Sequence, residues 1–543
     1  MIQKLKITMK ERRNALALIL IIVLLNPCFY FRADNIHIND KIFAWITCIT
    51  VGIALFAIDL FMKGKAEKLF LSILFILSLA PNLTVWSYLD IGRVCIKLDM
   101  FWVIFATDRS ESKEFFQHFI TWKIVLTGVL YTAAGLILIV RQNSLKALRI
   151  KRHRMMFCIP VAIVMSCIAF QYTVQAIPTF DLYKSRIIYE RQNRIFHSKW
   201  IERQEQNIDV KCCLNDTEPH TFVIVIGESA SAAHQSLYGY HRKTTPLLDS
   251  IKEDLNIYTQ VVTSATHTAG SLLRALTFAT YENPDAYMDR PDVVNLLNSA
   301  GFNTRWITNQ PVLDKIGGFY GIAAKEAQTL TDLSRFQKDD GEVLPYIQEI
   351  VEDTVDTGNR IIFVHLLGNH HSYKSRYPEN WKRFDHNKSN DIYTQFAFDE
   401  YRKRIIDEYD NSILYGDFVL FSIIQQMKKI STPACLLFFS DHGEEIYDFR
   451  DFRGHSVGNP SYFQARIPFL FWSNDEYRQE MKDLTIDTAR VYSTEELIHS
   501  ISDLCGLKHE FFKPEHSIFS KNYKKPEQIL VSGRNYEDVM IQK

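Results

Sequence analysis

The sequence predicts a molecule in two parts: an α-helical membrane domain with five transmembrane helices, then an α/β domain with a mostly parallel sheet. Three observations predict it. Apolar residues crowd into the first 180 of 543 positions, in blocks long enough to cross a bilayer. Beyond residue 219, short apolar runs alternate with helical patterns, as in a sheet covered on both faces. Two of these runs end abruptly in acids and a histidine. Run 222–226 stops at Gly227, Glu228 and Ser229, and run 436–439 stops at Ser440, Asp441, His442, Gly443, Glu444 and Glu445. Buried strands that deliver ligands at their carboxyl ends are how an open α/β sheet builds a site.

The apolar blocks lie near 15–31, 42–62, 69–89, 120–140 and 156–176. The first does not read as a cleaved leader, because it runs into Asn26, Pro27, Cys28 and Phe29 with no small-residue cleavage site, and four more blocks follow. Lysine and arginine set the orientation. Lys4, Lys6, Lys10, Arg12 and Arg13 precede the first block, and Lys63, Lys65 and Lys68 follow the second. Arg141, Lys146, Arg149, Lys151, Arg152 and Arg154 follow the fourth. These three segments alternate so as to share the cytoplasmic side, and five spans then place the remainder outside. Residues 178–218 form a polar connector with a helix predicted over 183–206. Its Ile187, Ile188, Ile195 and Trp200 make a stripe for membrane or domain, although a plain surface linker fits equally well. The expected division is 1–177 transmembrane, 178–218 linker and 219–543 catalytic.

In the third part, 223–226, 304–308, 361–367, 435–439 and 469–472 read as strands, and 293–300, 342–353, 407–429 and 493–505 as helices. Lys and Arg together balance Asp and Glu, 62 against 62, so no global basic field points to nucleic acid. Of nine cysteines, Cys212, Cys213, Cys435 and Cys505 lie outside the membrane blocks, and nothing dictates a pairing among them. More than three hundred residues suffice for a stable core without disulfides.

Glu228, Asp441 and His442 are oxygen and nitrogen donors suited to a zinc-like cation, and three protein ligands with a fourth position open is the catalytic pattern. The fourth place suits a nucleophile. Ser229 and Ser231 follow Glu228, and Ser231 is also placed to cap a following helix. A polar segment from Thr263 to Thr268 precedes a run with Leu272, Leu273, Leu276 and Phe278 at helical spacing. A threonine at that helix N-terminus meets free backbone N–H groups and the positive end of the dipole, which favour an alkoxide and an incoming phosphate. The residues alone leave Thr263, Thr266 and Thr268 as alternatives, with helix capping the competing role.

The chain resembles the membrane-bound phosphoethanolamine transferases of Gram-negative bacteria. The likeness covers nearly the whole sequence and is densest at GESASAAHQSLYGYHRKTTPLLD (227–249), VVTSATHTAGSLLRALTFA (261–279), GFNTRWITNQ (301–310), VHLLGNHHSYKSRYP (364–378) and FSDHGEEIYD (439–448). The wording is most similar to the branch that modifies heptose of the lipopolysaccharide inner core. The resemblance implies five spans in the bacterial inner membrane and a periplasmic domain of alkaline phosphatase/sulfatase-like fold. It implies Zn2+ held by Glu228, Asp441 and His442. It places the nucleophile ten residues before Phe278, which selects Thr268 with Thr266 as the alternative. A divalent ion would activate the hydroxyl. The donor would be phosphatidylethanolamine from the lipid bilayer, the intermediate a phosphothreonine-type ester, the acceptor lipopolysaccharide, and the enzyme a monomer. His370 and His455 match family histidines that hold the phosphoethanolamine group or a second metal, with an ordinary surface histidine the competing reading for each, and Asn309 and Gln310, which follow another strand, are placed to touch the same phosphate. Asp314 and Lys315 stand where some members carry a lysine, and no role is transferred to them. His365, inside a strand, reads as a core histidine, and Glu444 and Glu445 as partners of zinc ligands or as helix-starting acids.

Other classes fit less well. A sulfatase needs a Cys-x-Pro-x-Arg nucleophile segment, which the sequence lacks. Transfer to lipid A, or phosphoglycerol transfer from phosphatidylglycerol to an envelope glycan, are the alternatives within the fold. A non-enzymatic scaffold would leave ligands, nucleophile and histidines idle.

Overall fold

The structure, a computed structural model, describes residues 11–30, 38–92, 120–142, 178–204, 208–214, 218–312, 319–334, 339–353, 358–388, 398–455 and 458–540. The chain divides into two compact units, Met1–Arg191 and Gln192–Lys543.

The first unit contains helices α1 Arg13–Tyr30, α2 Ile38–Asp59, α3 Gly64–Gly92 and α4 Trp122–Arg141. Three stretches, Ile38–Asp59, Gly64–Ser87 and Trp122–Arg141, are long and apolar enough to cross a membrane, and Arg13–Cys28 is a shorter apolar helix. The predicted fifth block, 156–176, lies outside the described residues. Polar groups buried between helices supply specific contacts that apolar packing in lipid does not. Trp86 Nε1 donates to Asn26 Oδ1 at 3.0 Å, and Asn26 Nδ2 to Asn82 Oδ1 at 3.2 Å. Asn82 Nδ2 donates in turn to the Tyr131 hydroxyl at 3.2 Å, which joins α1, α3 and α4. At one end of the bundle Arg12 pairs with Asp59 at 2.7 Å and Glu67 at 3.2 Å, and Gln142 Nε2 donates to Glu67 at 2.7 Å. Helix α5, Pro178–Gln204, contains the expected helix from 183 to 204, and residues 205 and 206 lie outside the described residues.

The second unit is built on a seven-stranded sheet. Its strands are β1 Thr221–Gly227, β2 Asn256–Tyr258, β3 Asn303–Thr308, β4 Thr329–Asp332, β5 Arg360–His365, β6 Ala434–Ser440 and β7 Phe469–Ser473. The spatial order is β2-β7-β6-β1-β5-β3-β4. The run from β6 to β4 is parallel, whereas β7 pairs antiparallel with both β6 and β2. The sheet is therefore mixed, with β7 reversed relative to the parallel set and the short edge strands β2 and β4 added to those the sequence predicts.

β1 is central, and every residue in it is buried because strands pair on both sides and helices cover both faces. Val223, Val225, Ile362, Val364, Leu436 and Phe438 pack against Val419, Leu420, Ile423 and Ile424 of helix α9. That helix spans Glu400–Met427, and Asp399 caps it by accepting the Arg402 N–H at 2.8 Å. Each such side chain contributes about 1.5–3 kcal/mol on burial. On the opposite face the Phe222 ring meets Phe302 at 5.8 Å and Tyr477 at 6.0 Å. Helices α6 Thr268–Ala275, α7 Val293–Ser299, α8 Leu344–Glu352 and α10 Leu497–Leu504 are among the unit's other elements. Cys435 is buried on β6, and the six described cysteines are all unbridged.

Candidate active site

Parallel register carries the ends of β1, β6, β5 and β3 to one edge. Gly227 lies opposite Ser440, Ile226 opposite His365, and Thr308 opposite His365. The next residues are therefore Glu228, Asp441, Leu366 and Asn309. After β1 the chain turns sharply through Ser229, whose φ of 55° is left-handed and costs about 1–3 kcal/mol in a non-glycine residue. The turn aims the Ser229 N–H at Asp441 Oδ1 (3.0 Å) and its hydroxyl at Glu228 Oε1 (2.7 Å). Tyr409 of α9 holds it from behind, donating its hydroxyl to Ser229 O and accepting the Ser231 N–H. Ser231 caps a single 3-10 turn, Ala232–His234. Across the site the Thr263 and Ser271 hydroxyls both donate to the Asp441 carbonyl at 2.6 Å.

Glu228, Asp441 and His442 converge, with one potential ligand atom from each within 4.8 Å of the others. His442 Nδ1 donates to the Gly443 carbonyl at 2.9 Å, a bond that orients the ring and makes Nε2 the nitrogen available to a cation once its proton is displaced. Nε2 lies 3.4 Å from Glu228 Oε1 and 3.5 Å from Asp441 Oδ2. Two ligands about 2.0–2.1 Å from a tetrahedral ion are about 3.3 Å apart, so these spacings suit a shared cation. His442 Nε2 and Asp441 Oδ2 are both buried with no hydrogen-bond partner, a costly condition that a cation would relieve. The electrostatics agree. Burial next to Glu228 raises the Asp441 carboxyl well above its usual range. Burial opposes charge on His442, but Asp441 and Glu228 outweigh it and lift the ring to about 10. A site that draws protons this strongly is a site for positive charge.

Thr268 is the first residue of α6, and its hydroxyl donates to Glu228 Oε2 at 3.0 Å. The other two threonines bond elsewhere. Thr263 supports Asp441, and Thr266 Oγ1 lies 3.0 Å from Ser532 Oγ. His267 packs under the helix start, where a Cβ on Gly270 would come within 2.4 Å of its ring. Burial, then the neighbouring His442, push His267 down to about 3, so it stays neutral.

The remaining predicted residues divide by what they touch. His455 Nδ1 donates to Glu444 Oε2 at 2.8 Å, and its ring centre is 4.3 Å from that of His442. Glu444 also accepts the Tyr373 hydroxyl at 2.7 Å, and Glu445 pairs with Arg450 at 2.7 Å; the chain enters a short strand at Glu445–Ile446, so neither acid starts a helix. His370 is held neutral, pushed to about 3 by burial despite Glu228 nearby. Gln310 Nε2 donates to Glu228 Oε2 at 3.0 Å, the oxygen that also receives Thr268. Asn309 turns to Asp340 instead, donating to Oδ1 at 2.9 Å. His365 is fully buried inside β5, and burial lowers it to about 4.

The chain matches the sulfatase family over residues 220–507. It is 31% identical over 500 residues to the phosphoethanolamine transferase EptC of Escherichia coli K12, covering 87% of this chain and 86% of that protein. The chain belongs to the phosphoethanolamine transferase family. Among solved structures, the transferase resembles the C-terminal periplasmic domain of E. coli EptC in complex with Zn. That match has 34% identity and a TM-score of 0.56, over 60% of this chain and 93% of that one. The fold alone extends further: lipooligosaccharide phosphoethanolamine transferase A from Neisseria meningitidis, an integral membrane protein, matches with a TM-score of 0.68 at 17% identity. It covers 93% of this chain and 98% of that one.

Sequence reasoning missed three supports of the transferase's site: Tyr409, Tyr373 and Asp340. Asp340 accepts the Leu367 and Gly368 N–H groups at 2.9 and 2.7 Å besides Asn309, tying the ends of β3 and β5 together. Asp340 stands in a polar stretch, and the two tyrosines sit among ordinary core aromatics, so no local pattern marks them.

Proposed function

We propose that this transferase moves phosphoethanolamine from phosphatidylethanolamine to lipopolysaccharide, with an inner-core heptose as acceptor. The site is Glu228, Thr268, Asp441 and His442 with zinc. The observation that carries the reading is the convergence of these four side chains on one sheet edge, with two buried ligand atoms lacking partners. The E. coli domain crystallised with zinc supports the choice of ion.

A zinc ion bound there supplies Lewis-acid charge for the phosphoryl oxygens and lowers the pKa of the threonine hydroxyl. Thr268 Oγ1 attacks phosphorus as its proton passes toward Glu228 Oε2, its acceptor at 3.0 Å. The bond from phosphorus to the glycerol oxygen breaks and diacylglycerol leaves, while phosphoethanolamine stays on Thr268 as a phosphate ester. His455, held by Glu444 through Nδ1, gives a proton from Nε2 to the leaving oxygen and takes one from the acceptor hydroxyl as that oxygen bonds to phosphorus; the bond from phosphorus to Thr268 Oγ1 then breaks, and Oγ1 regains the proton held at Glu228. His370 binds the phosphoethanolamine group. Gln310 acts through Glu228, and Asn309 through Asp340. Two half-reactions at one site give ping-pong kinetics. In this reading residues 1–177 form five spans in the inner membrane, 178–218 connect, and 219–543 act as a monomer in the periplasm.

Mass spectrometry of lipopolysaccharide from cells with and without the protein, resolving core from lipid A, tests it. A phosphoethanolamine increment on the core that depends on the protein is expected. An increment on lipid A would reassign the acceptor, and no increment on either would overturn the function.

A further inference from the structure

The C-terminal hairpin takes no part in the reaction above, yet it grips the segment that leads to Thr268. Strands Leu530–Val531 and Arg534–Asn535 pair antiparallel and turn through Ser532 and Gly533. Ser532 has a φ of 50°, a left-handed conformation that glycine adopts readily and serine rarely does. Three of its bonds go to one place. The Ser532 N–H donates to Ser264 O at 3.0 Å. Its Oγ accepts the Thr266 N–H at 3.0 Å and lies 3.0 Å from Thr266 Oγ1. Ser264 is held further by the Tyr281 hydroxyl at its carbonyl (2.8 Å) and by Thr494 Oγ1 at its N–H (3.1 Å). The same hairpin reaches the loop behind His455, where Arg534 donates to Gly458 O at 2.8 Å and Asn459 Oδ1 at 3.1 Å. A glycine at 532 would suit the backbone but remove the acceptor for Thr266.

We propose that Ser532 is a positioning residue for Thr268: it fixes residues 264–266 so that α6 starts where the Thr268 hydroxyl meets Glu228. The inference rests on Thr268 being the nucleophile. Misplacing a nucleophile by a fraction of an ångström slows chemistry without weakening substrate binding, so the effect belongs in kcat.

The test uses the full chain in detergent micelles containing phosphatidylethanolamine as donor and lipopolysaccharide as acceptor, with release of diacylglycerol as the readout. Ser532→Gly is expected to lower kcat about tenfold with KM, zinc content and melting temperature unchanged. A kcat for Ser532→Gly within about twofold of the parent overturns the positioning role, as does a loss shared by KM or melting temperature. Thr268→Ala separates the two levels. If that variant still releases diacylglycerol, the nucleophile assignment fails; if it is inactive while Ser532→Gly is fully active, the positioning role alone fails.

Discussion

His442 has one ring nitrogen committed to the Gly443 carbonyl and the other turned to two buried carboxylates. Removing the ring takes away one of the three proposed ligands and leaves Glu228 and Asp441 facing each other. His442→Ala is therefore expected to lose zinc and transfer together, read by metal analysis of the purified chain beside a diacylglycerol-release assay; stoichiometric zinc in that variant would show the ligand set to be wrong. Gly368 is a second sensitive residue. At a φ of 54°, a Cβ there would sit 2.7 Å from Glu228 O and 2.8 Å from Glu228 N, backbone atoms that cannot swing aside. Gly368→Ala should cost about 2–4 kcal/mol from left-handed strain and overpacking, lower the melting temperature by several degrees, and displace Glu228 enough to reduce turnover. A variant with parental melting temperature and turnover would contradict that geometry. At this scale the sequence exposes Glu228, Asp441 and His442 because each directly follows an apolar run. It hides Gln310's grip on Glu228, because a strand-end amide looks the same whether it meets substrate or a ligand.

Among elements, α9 does more than cover the sheet. His234, in the turn after β1, donates one ring nitrogen to Asp410 of α9 at 2.8 Å and the other to Asp448 at 3.0 Å. Arg242 pairs with Asp407 and Asp410 at 2.9 and 2.8 Å, and the Tyr240 hydroxyl donates to Asp410 at 3.1 Å. Burial opposes charge on His234, but Asp448 and Asp410 outweigh it and raise the ring to about 10. A raised folded-state pKa means that protonation favours the fold. The contribution is complete below the unfolded value near 6.5 and disappears as pH climbs through about 10, with an upper size on the order of 3–5 kcal/mol. The gap in melting temperature between the parent and His234→Gln should be wide near pH 6 and narrow toward pH 10. A constant gap would mean that His234 is neutral. Sequence periodicity found α9 from Asp407 but missed its first seven residues, because 400–406 are mostly charged and their helix rests on the Asp399 cap. It missed β4, whose polar Thr329–Asp332 lies at an edge and is only partly buried. It left the direction of β7 undetermined, since a strand buried on both faces carries the same apolar run either way.

For the whole molecule, the decisive quantity is the number of membrane crossings before the catalytic unit. Arg12 bonds with Asp59, Met62 and Glu67, and Gln142 bonds with Glu67 and with the Ala15 N–H. The start of α1, the α2–α3 turn and the end of α4 are thereby gathered at one end of the bundle. These points adjoin the three basic segments that the positive-inside rule assigns to the cytoplasm. If all four helices cross, they return the chain to the side on which it began, and the side of the catalytic unit then turns on the apolar block 156–176. One crossing there carries the site to the compartment where lipopolysaccharide is modified; no crossing leaves it inside, away from any acceptor. An alkaline phosphatase reporter, active only outside the cytoplasm, should be silent when fused after Gln142 and active when fused after Lys543. Silence at both junctions would remove the fifth span, and with it the route by which this enzyme meets its acceptor.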